Sequence, residues 1–256
     1  AIIKRIYQVL PLKKEFFSAV KCFWSPSKNI YQHLTFNDSF RIKISQKEYF
    51  KMHHFGYALE NYIFWEGLYG DWEKESLRLW TKLSRKSKTI LDIGANTGIY
   101  TLISATVNPN ADIYAFEPVD RVYERLKDNL KLNNFKVKSY KIGLSNADGE
   151  AIIYDSYEEH TYSVTINKNL WSKERKVKEV TIPIRTLNTI IEKENIKKID
   201  LIKIDVETHE YEVLLGMKNY LYKYQPTMLI ELLNDEIASN VESLINDMGY
   251  LYFNID

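Results

Sequence analysis

From residue 89 onward, short apolar runs alternate with longer amphipathic ones, and this rhythm restricts the chain to a narrow set of folds. TILDIG reads as a strand and GIYTLISATV as the helix that follows it. DIYAFEP is the next strand. VDRVYERLKDNLKLNN is the next helix, stopping at Asn133-Asn134, a residue type that tolerates the left-handed region. VKSYKIGLSN, AIIYDSY and TYSVTIN read as strands and TLNTIIEKENI as a helix. KIDLIKIDVE is a strand, EYEVLLGMKNYLYKY a helix, PTMLIELL a strand, EIASNVESLINDMGY a helix and LYFNI a last strand. Such alternation predicts an α/β fold, a mostly parallel sheet with helices on both faces. The near-continuous apolar strands suit burial on both sides.

Before that rhythm begins, residues 1–85 read as an N-terminal extension of helices and a hairpin, and 86–256 as the main domain. Two amphipathic helices over 1–24 are broken at Pro11, and SPSKN (25–29) is a linker. HLTFNDSFRIKIS reads as a hairpin turning at Asn37-Asp38, and DWEKESLRLWTKL as a helix capped by Asp71. Residues 1–88 hold 16 Lys/Arg against 8 Asp/Glu, leaving 19 against 26 for the rest, which together give the net charge of +1. A basic front suggests an anionic partner: peripheral contact with a membrane near a lipid-linked acceptor, or a homo-oligomer contact. A solvated face is the plainer reading. No apolar run reaches about 18 residues, so no spanning helix is expected. The single cysteine, Cys22, excludes an internal disulfide and a cysteine metal cluster. No nucleic-acid-binding signature is present, and a cytoplasmic location is the default expectation.

Open α/β sheets bind ligands beyond the carboxyl ends of their strands. The first strand–helix turn is Gly94-Ala95-Asn96-Thr97-Gly98, and the second strand ends in Glu117. Glycines let the backbone turn tightly, and a carboxylate in that place can accept hydrogen bonds from ribose hydroxyls. An adenosine-containing cofactor is therefore indicated. The dinucleotide pattern G-x-G-x-x-G is not met, since Asn96 stands where a glycine is needed. Asp92, just before the turn, would repel a pyrophosphate and could meet an ammonium. S-adenosylmethionine suits this better than NAD(P), which leaves a sugar-modifying oxidoreductase as the rival reading.

DIGANTGIYT, FEP, LIKIDVETHEYEVLLGM and PTMLIEL, in that order, resemble the FkbM family of S-adenosylmethionine-dependent methyltransferases, over roughly residues 56–256. The resemblance implies a class I methyltransferase (Rossmann-like) sheet and methylation of a hydroxyl, often on a sugar, glycan or related small molecule. It implies that Asp92, Gly94, Asn96 and Gly98 line the methionine part of the cofactor, that Glu117 holds the ribose, and that Pro118 turns the chain past it. Gly143, Leu144 and Ser145 would flank the adenine, and Trp65-Glu66 would approach the cofactor. In the family the block after the fourth strand reads acid-x-Glu-Gly-x-Glu, whereas here Thr208 takes the glycine position. The family fold also ends in an antiparallel strand pair.

A sugar hydroxyl is a poor nucleophile near neutral pH, so a base within hydrogen-bond reach helps. His209, whose ordinary pKa suits pH 7, is the first candidate base, with Asp205 and Glu207 facing the acceptor. The plainer alternatives are acids placed at a helix start by its dipole, and a structural Lys203–Asp205 pair. Asp205, Glu207 and Glu231 could together offer oxygen ligands to a divalent cation, but solvated acids are the simpler reading and no metal ligand is assigned. The insertion over 155–178 is expected to shape the acceptor. A non-catalytic subunit of a glycan-assembly complex is the last rival.

Overall fold

The structure, a computed structural model, describes residues 12–156 and 177–255. It divides into two compact units, one running to Lys74 and the other beginning at Glu75.

The first unit contains α1 (Lys13–Val20), α2 (Lys28–Tyr31), β1 (Ser39–Lys43), β2 (Tyr49–His53) and α3 (Ala58–Glu66). The first of the two expected amphipathic helices falls before residue 12, outside the described residues. The hairpin is real but displaced: β1 pairs antiparallel with β2, and the turn lies between Ile44 and Glu48, not at Asn37-Asp38. The Ser45 hydroxyl accepts the Lys47 and Glu48 N–H groups and so closes that turn. Phe40, Ile42, Phe50 and Met52 alternate into the core, where Phe17, Phe36, Phe64 and Trp65 join them. His54 is buried against Phe36, with ring centroids 4.3 Å apart, and its Nε2 lies 3.1 Å from Asn61 Oδ1; burial pushes its pKa down to about 4. Two lysines of the basic front are held within this unit: Lys14 pairs with Asp38 at 2.8 Å, and Lys21 donates to the Phe64 carbonyl.

The helix expected from Asp71 is α4 (Lys74–Ser84), which opens three residues later. Asp71 instead donates its N–H to Glu66 Oε2 at 3.2 Å. Trp80 is fully buried, and its indole N–H donates to the Tyr100 carbonyl (3.0 Å) and Ser104 Oγ (2.9 Å). Those bonds tie α4 to the second unit, which therefore begins before residue 86.

The second unit continues with β3 (Thr89–Ile93), α5 (Ile99–Val107), β4 (Asp112–Phe116), α6 (Asp120–Leu132), β5 (Lys138–Tyr140) and β6 (Gly143–Leu144). Then come β7 (Gly149–Ser156), β8 (Val177–Arg185), α7 (Leu187–Lys193), β9 (Leu201–Ile204), α8 (Glu210–Leu215), α9 (Lys218–Tyr224), β10 (Thr227–Ile230) and α10 (Asp235–Ile245). The central sheet has the order β10-β9-β3-β4-β5, and every pairing in it is parallel. Successive strand residues point to opposite faces, yet Ile90, Leu91, Asp92 and Ile93 are all buried, so both faces are covered. Leu91, Ile93, Ile202 and Ile204 pack with Leu187, Ile190, Val213, Leu221 and Val241 from the helices α7 to α10. This parallel sheet with crossover helices agrees with the class I methyltransferase sheet that the resemblance implies.

Several elements depart from the expected pattern. VKSYKIGLSN splits into β5 and β6, which belong to different sheets, because the chain bends at Lys141-Ile142. VKEVTIPIR, not anticipated as a strand, forms β8 and pairs antiparallel with β7 from Val177 to Ile184. TYSVTIN lies outside the described residues. EYEVLLGMKNYLYKY is two helices separated at Gly216, where a Cβ would stand 2.1 Å from the Ser145 carbonyl oxygen. LYFNI is not a strand: it finds no ladder partner among the described residues, and Leu251 and Phe253 are each 81% exposed. The expected final strand pair is thus absent among the described residues. None of their helices is long and apolar enough to cross a membrane.

Candidate active site

The carboxyl ends of β3, β4 and β9 open onto one cavity. Gly94, Asn96, Glu117, Pro118, Leu144, Asp205, Glu207 and His209 all line it. Its remaining walls are chiefly apolar, including Phe116 and Ile142 and, from the second sheet, Ile153, Ile182 and Ile184. The enclosed volume is about 160 Å³.

The β3–β4 side is made by the backbone. Parallel pairing carries β9 alongside β3, and the Asp205 N–H donates to the Ile93 carbonyl at 3.0 Å. The Asp205 carbonyl then passes so close to Gly94 (φ +79°) that a Cβ there would sit 1.8 Å from its oxygen. The Gly94 and Ala95 N–H groups both donate to the Phe116 carbonyl, at 3.0 and 2.9 Å, which docks the turn onto the end of β4. Asn96 continues in the left-handed region (φ +51°), its side-chain oxygen accepting the Thr97 N–H at 2.8 Å. Glu117 receives the Asn96 N–H on Oε2 (3.0 Å) and the Val119 N–H on Oε1 (2.9 Å). Burial pushes its pKa up to about 7, against those two bonds, which favour the ionised form.

Three residues expected at this end do not line the cavity. Asp92 is buried beneath the turn and accepts the Thr101 hydroxyl hydrogen bond; burial raises its pKa to about 6, opposed by Thr101 and by the charge of Lys203. Gly98 (φ +98°) starts α5 and lies against α6, where a Cβ would meet Leu126 at 2.6 Å. Ser145 stands one residue beyond the lining, buried, with its hydroxyl toward His209.

The β9 side is made by side chains holding one another. Glu207 (φ +53°) and Thr208 (φ +81°) are consecutive non-glycine residues in the left-handed region, so Thr208 retains the backbone that suits a glycine. Buried Glu210 stabilises the bend, accepting the Val206 and Thr208 N–H groups on Oε1 at 3.2 and 3.3 Å. Burial raises the Glu207 pKa, and the Asp205 and Glu210 charges raise it further. His209 is gripped at both ring nitrogens: Ser145 Oγ lies 2.9 Å from Nε2, and Glu212 Oε2 lies 3.4 Å from Nδ1. Burial lowers its pKa, while Glu212 pulls the other way. The Glu212 carboxylate beside Nδ1 favours the proton on that nitrogen, which leaves Nε2 as the acceptor toward Ser145.

The plainer readings also have structural substance. Lys203 is buried and pairs with Asp205 at 3.1 Å and Glu231 at 4.0 Å, its ammonium 4.8 Å above the Tyr100 ring. A side-chain cation thus already sits between two of the three acids considered as metal ligands. Among the described residues no group of three His, Cys, Asp or Glu side chains converges as a metal site.

Among the contributors not read from the sequence are Glu212, Gly216, and the pair Ile182 and Ile184. Two signals were available. Glu212 follows His209 by three residues at the start of a helix, a spacing that brings side chains together. Ile182 and Ile184 alternate in TIPIR as a half-buried strand would.

The Methyltransferase FkbM domain model matches residues 92–252. Methyltransferase 1 of Beauveria bassiana is 26% identical over 177 residues, covering 63% of this chain and 71% of that protein. Hexuronic acid methyltransferase AglP of Haloferax volcanii is 30% identical over 149 residues, covering 58% of each. The 2-O-methyltransferase NoeI of Sinorhizobium fredii is 29% identical over 154 residues, covering 55% of this chain and 62% of that one. A cavity at the ends of parallel strands, with a buried carboxylate ending β4 and no third glycine for a dinucleotide, agrees with the family match, and the chain belongs to the FkbM family of S-adenosylmethionine-dependent methyltransferases.

Proposed function

We propose that this methyltransferase acts on a hydroxyl oxygen of a sugar, glycan or related metabolite. One observation carries the reading: Glu117 and the set Asp205, Glu207 and His209 line the same cavity from opposite sides. The cavity suits the cofactor. Glu117 is a buried acceptor with a raised pKa, short of donors that two ribose hydroxyls would supply, and the isoleucine walls suit a purine. About 160 Å³ encloses only part of so large a molecule, so the rest extends along the open strand ends. When bound, S-adenosylmethionine supplies an electrophilic methyl group.

In this reading Gly94, Asn96 and the turn to Gly98 shape the floor under the methionine part, and Asp92 braces that floor from below. Leu144 and Pro118 flank the nucleoside. His209 Nε2 takes the acceptor proton once the acceptor hydroxyl replaces Ser145 as its partner, and Glu212 keeps the tautomer that leaves Nε2 free of hydrogen. Asp205 and Glu207 orient the acceptor. The names of two relatives support the reading: a hexuronic acid methyltransferase supports a sugar-type acceptor, and a 2-O-methyltransferase supports transfer to oxygen.

Calorimetric titration with S-adenosylhomocysteine and, separately, NADH comes first; binding of the first alone is expected. Transfer of labelled methyl to a panel of neutral and uronic glycosides follows. The expected product is an alkali-stable methyl ether. Release of the label as methanol by mild alkali would show a carboxylate ester and overturn the hydroxyl assignment.

A further inference from the structure

The N-terminal unit has a cavity of its own, about 830 Å³, and every residue lining it lies between Ser25 and Glu73. It is formed by α2, α3 and the loop after α3. That loop doubles back tightly, since a Cβ on Gly70 would come within 2.5 Å of Glu66 Cβ. Glu66 is held at both oxygens, by the Tyr31 hydroxyl on Oε1 and the Asp71 N–H on Oε2. Burial and the Glu66 carboxylate both push the Tyr31 phenol up, so it stays a donor.

Four aromatic residues line the cavity: Tyr31, Tyr62, Trp65 and Trp72. Tyr62 has the edge of Tyr31 on it at 5.8 Å and the Lys28 ammonium over its face at 4.8 Å. Trp65 is 7% exposed, and its buried indole N–H has no acceptor among the described residues. Trp72 is half-buried, with no aromatic or cationic partner among them. The lining carries Glu66, Asp71 and Glu73 against Lys28, a balance that repels anions. An open aromatic face beside carboxylates calls for a ligand with an apolar face and a rim of hydroxyl donors. A sugar ring presents both.

We infer that this cavity is a saccharide-binding site, taking an uncharged sugar residue stacked on Trp72 with its hydroxyls donating to Asp71 and Glu66. It stands apart from the methyl-transfer reading, since none of its residues lines the cavity at the strand ends.

The test is calorimetry on the full chain with cellotriose, maltotriose and N-acetylchitotriose, with and without S-adenosylhomocysteine, and with trigalacturonate as an anionic control. At least one uncharged trisaccharide is expected to bind in both conditions. Trp72→Ala should weaken that binding by roughly tenfold or more, as for a buried aromatic anchor. Asp71→Asn, a conservative change at an exposed position, should weaken it a few-fold, and neither should alter S-adenosylhomocysteine affinity. Failure of all three trisaccharides to bind, binding that survives both substitutions, or trigalacturonate binding that depends on Trp72 would each overturn the inference. Saccharide binding without S-adenosylhomocysteine binding would leave this site standing and sink the methyl-transfer reading.

Discussion

The two sides of the strand-end cavity are built from different materials. Between Gly94 and Glu117 the surface is backbone: carbonyls and N–H groups brought together by strand pairing, with one carboxylate fastened to two amides. Between Asp205 and Glu212 it is side chains: a lysine between acids, a histidine held by a serine and a glutamate, and a glutamate supporting a strained bend. Backbone surfaces tolerate almost no added volume. Side-chain surfaces tolerate change in shape but depend on charge and proton position.

The largest effect should come from the side-chain side and fall on chemistry. His209→Gln is expected to lower kcat roughly 100- to 10,000-fold while leaving S-adenosylhomocysteine affinity in place. Glu212→Gln should cost less and shift the pH–rate profile, because it loosens the tautomer without removing the base. An unchanged kcat in His209→Gln would remove the histidine from the mechanism. On the backbone side the next largest effect should fall on folding. Gly94→Ala sets a methyl group against the Asp205 carbonyl in a left-handed residue and is expected to cost about 3 kcal/mol or more in a urea melt. A loss of only a few tenths would mean that β3 and β9 can separate at that point.

Glu117 joins the two behaviours, being a charge set in a backbone surface. Its pKa is raised from 4.5 to about 7, so cofactor binding to the carboxylate should release a proton, and affinity should rise with pH. About tenfold tighter S-adenosylhomocysteine binding at pH 8 than at pH 6 is expected, with Glu117→Gln weak and flat across the range. A flat profile in the unaltered protein would show that Glu117 is not the ribose acceptor. The sign for stability is opposite. A raised folded-state pKa means that this group's contribution is present below pH 4.5 and is lost as pH rises through about 7. The smallest effect belongs to Thr208. Thr208→Gly should stabilise the protein by about 1 kcal/mol by relieving φ +81°, read as a higher melting temperature. Destabilisation instead would mean that the threonine side chain makes a contact worth more than the strain.

This difference in material explains what could be read in advance. The β3 turn was legible because its requirements are local: an apolar run, glycines at a fixed spacing, and an acid ending the next strand. Asp92 was placed correctly along the chain but not in depth. Whether a strand-end aspartate faces the cavity or Thr101 depends on the face it takes in the sheet and on what α5 puts above it. Ser145 could not be joined to His209 because 64 residues separate them in sequence. Strand β8 was missed because its partner β7 lies beyond a long intervening segment, and LYFNI was over-read because alternation alone does not provide a neighbouring strand.

By itself the sequence determined the alternation of strands and helices, and hence a parallel sheet with ligands at its carboxyl edge. It also favoured S-adenosylmethionine over a dinucleotide, because Asn96 stands where the dinucleotide pattern needs a glycine. These follow from periodicity and from what one residue's backbone can do. Only the tertiary structure decided which charges meet. It put Lys203 between Asp205 and Glu231, fastened His209 at both nitrogens, and gave Thr208 a glycine's conformation. Those outcomes depend on distances between elements far apart in the chain, and such distances are set by packing.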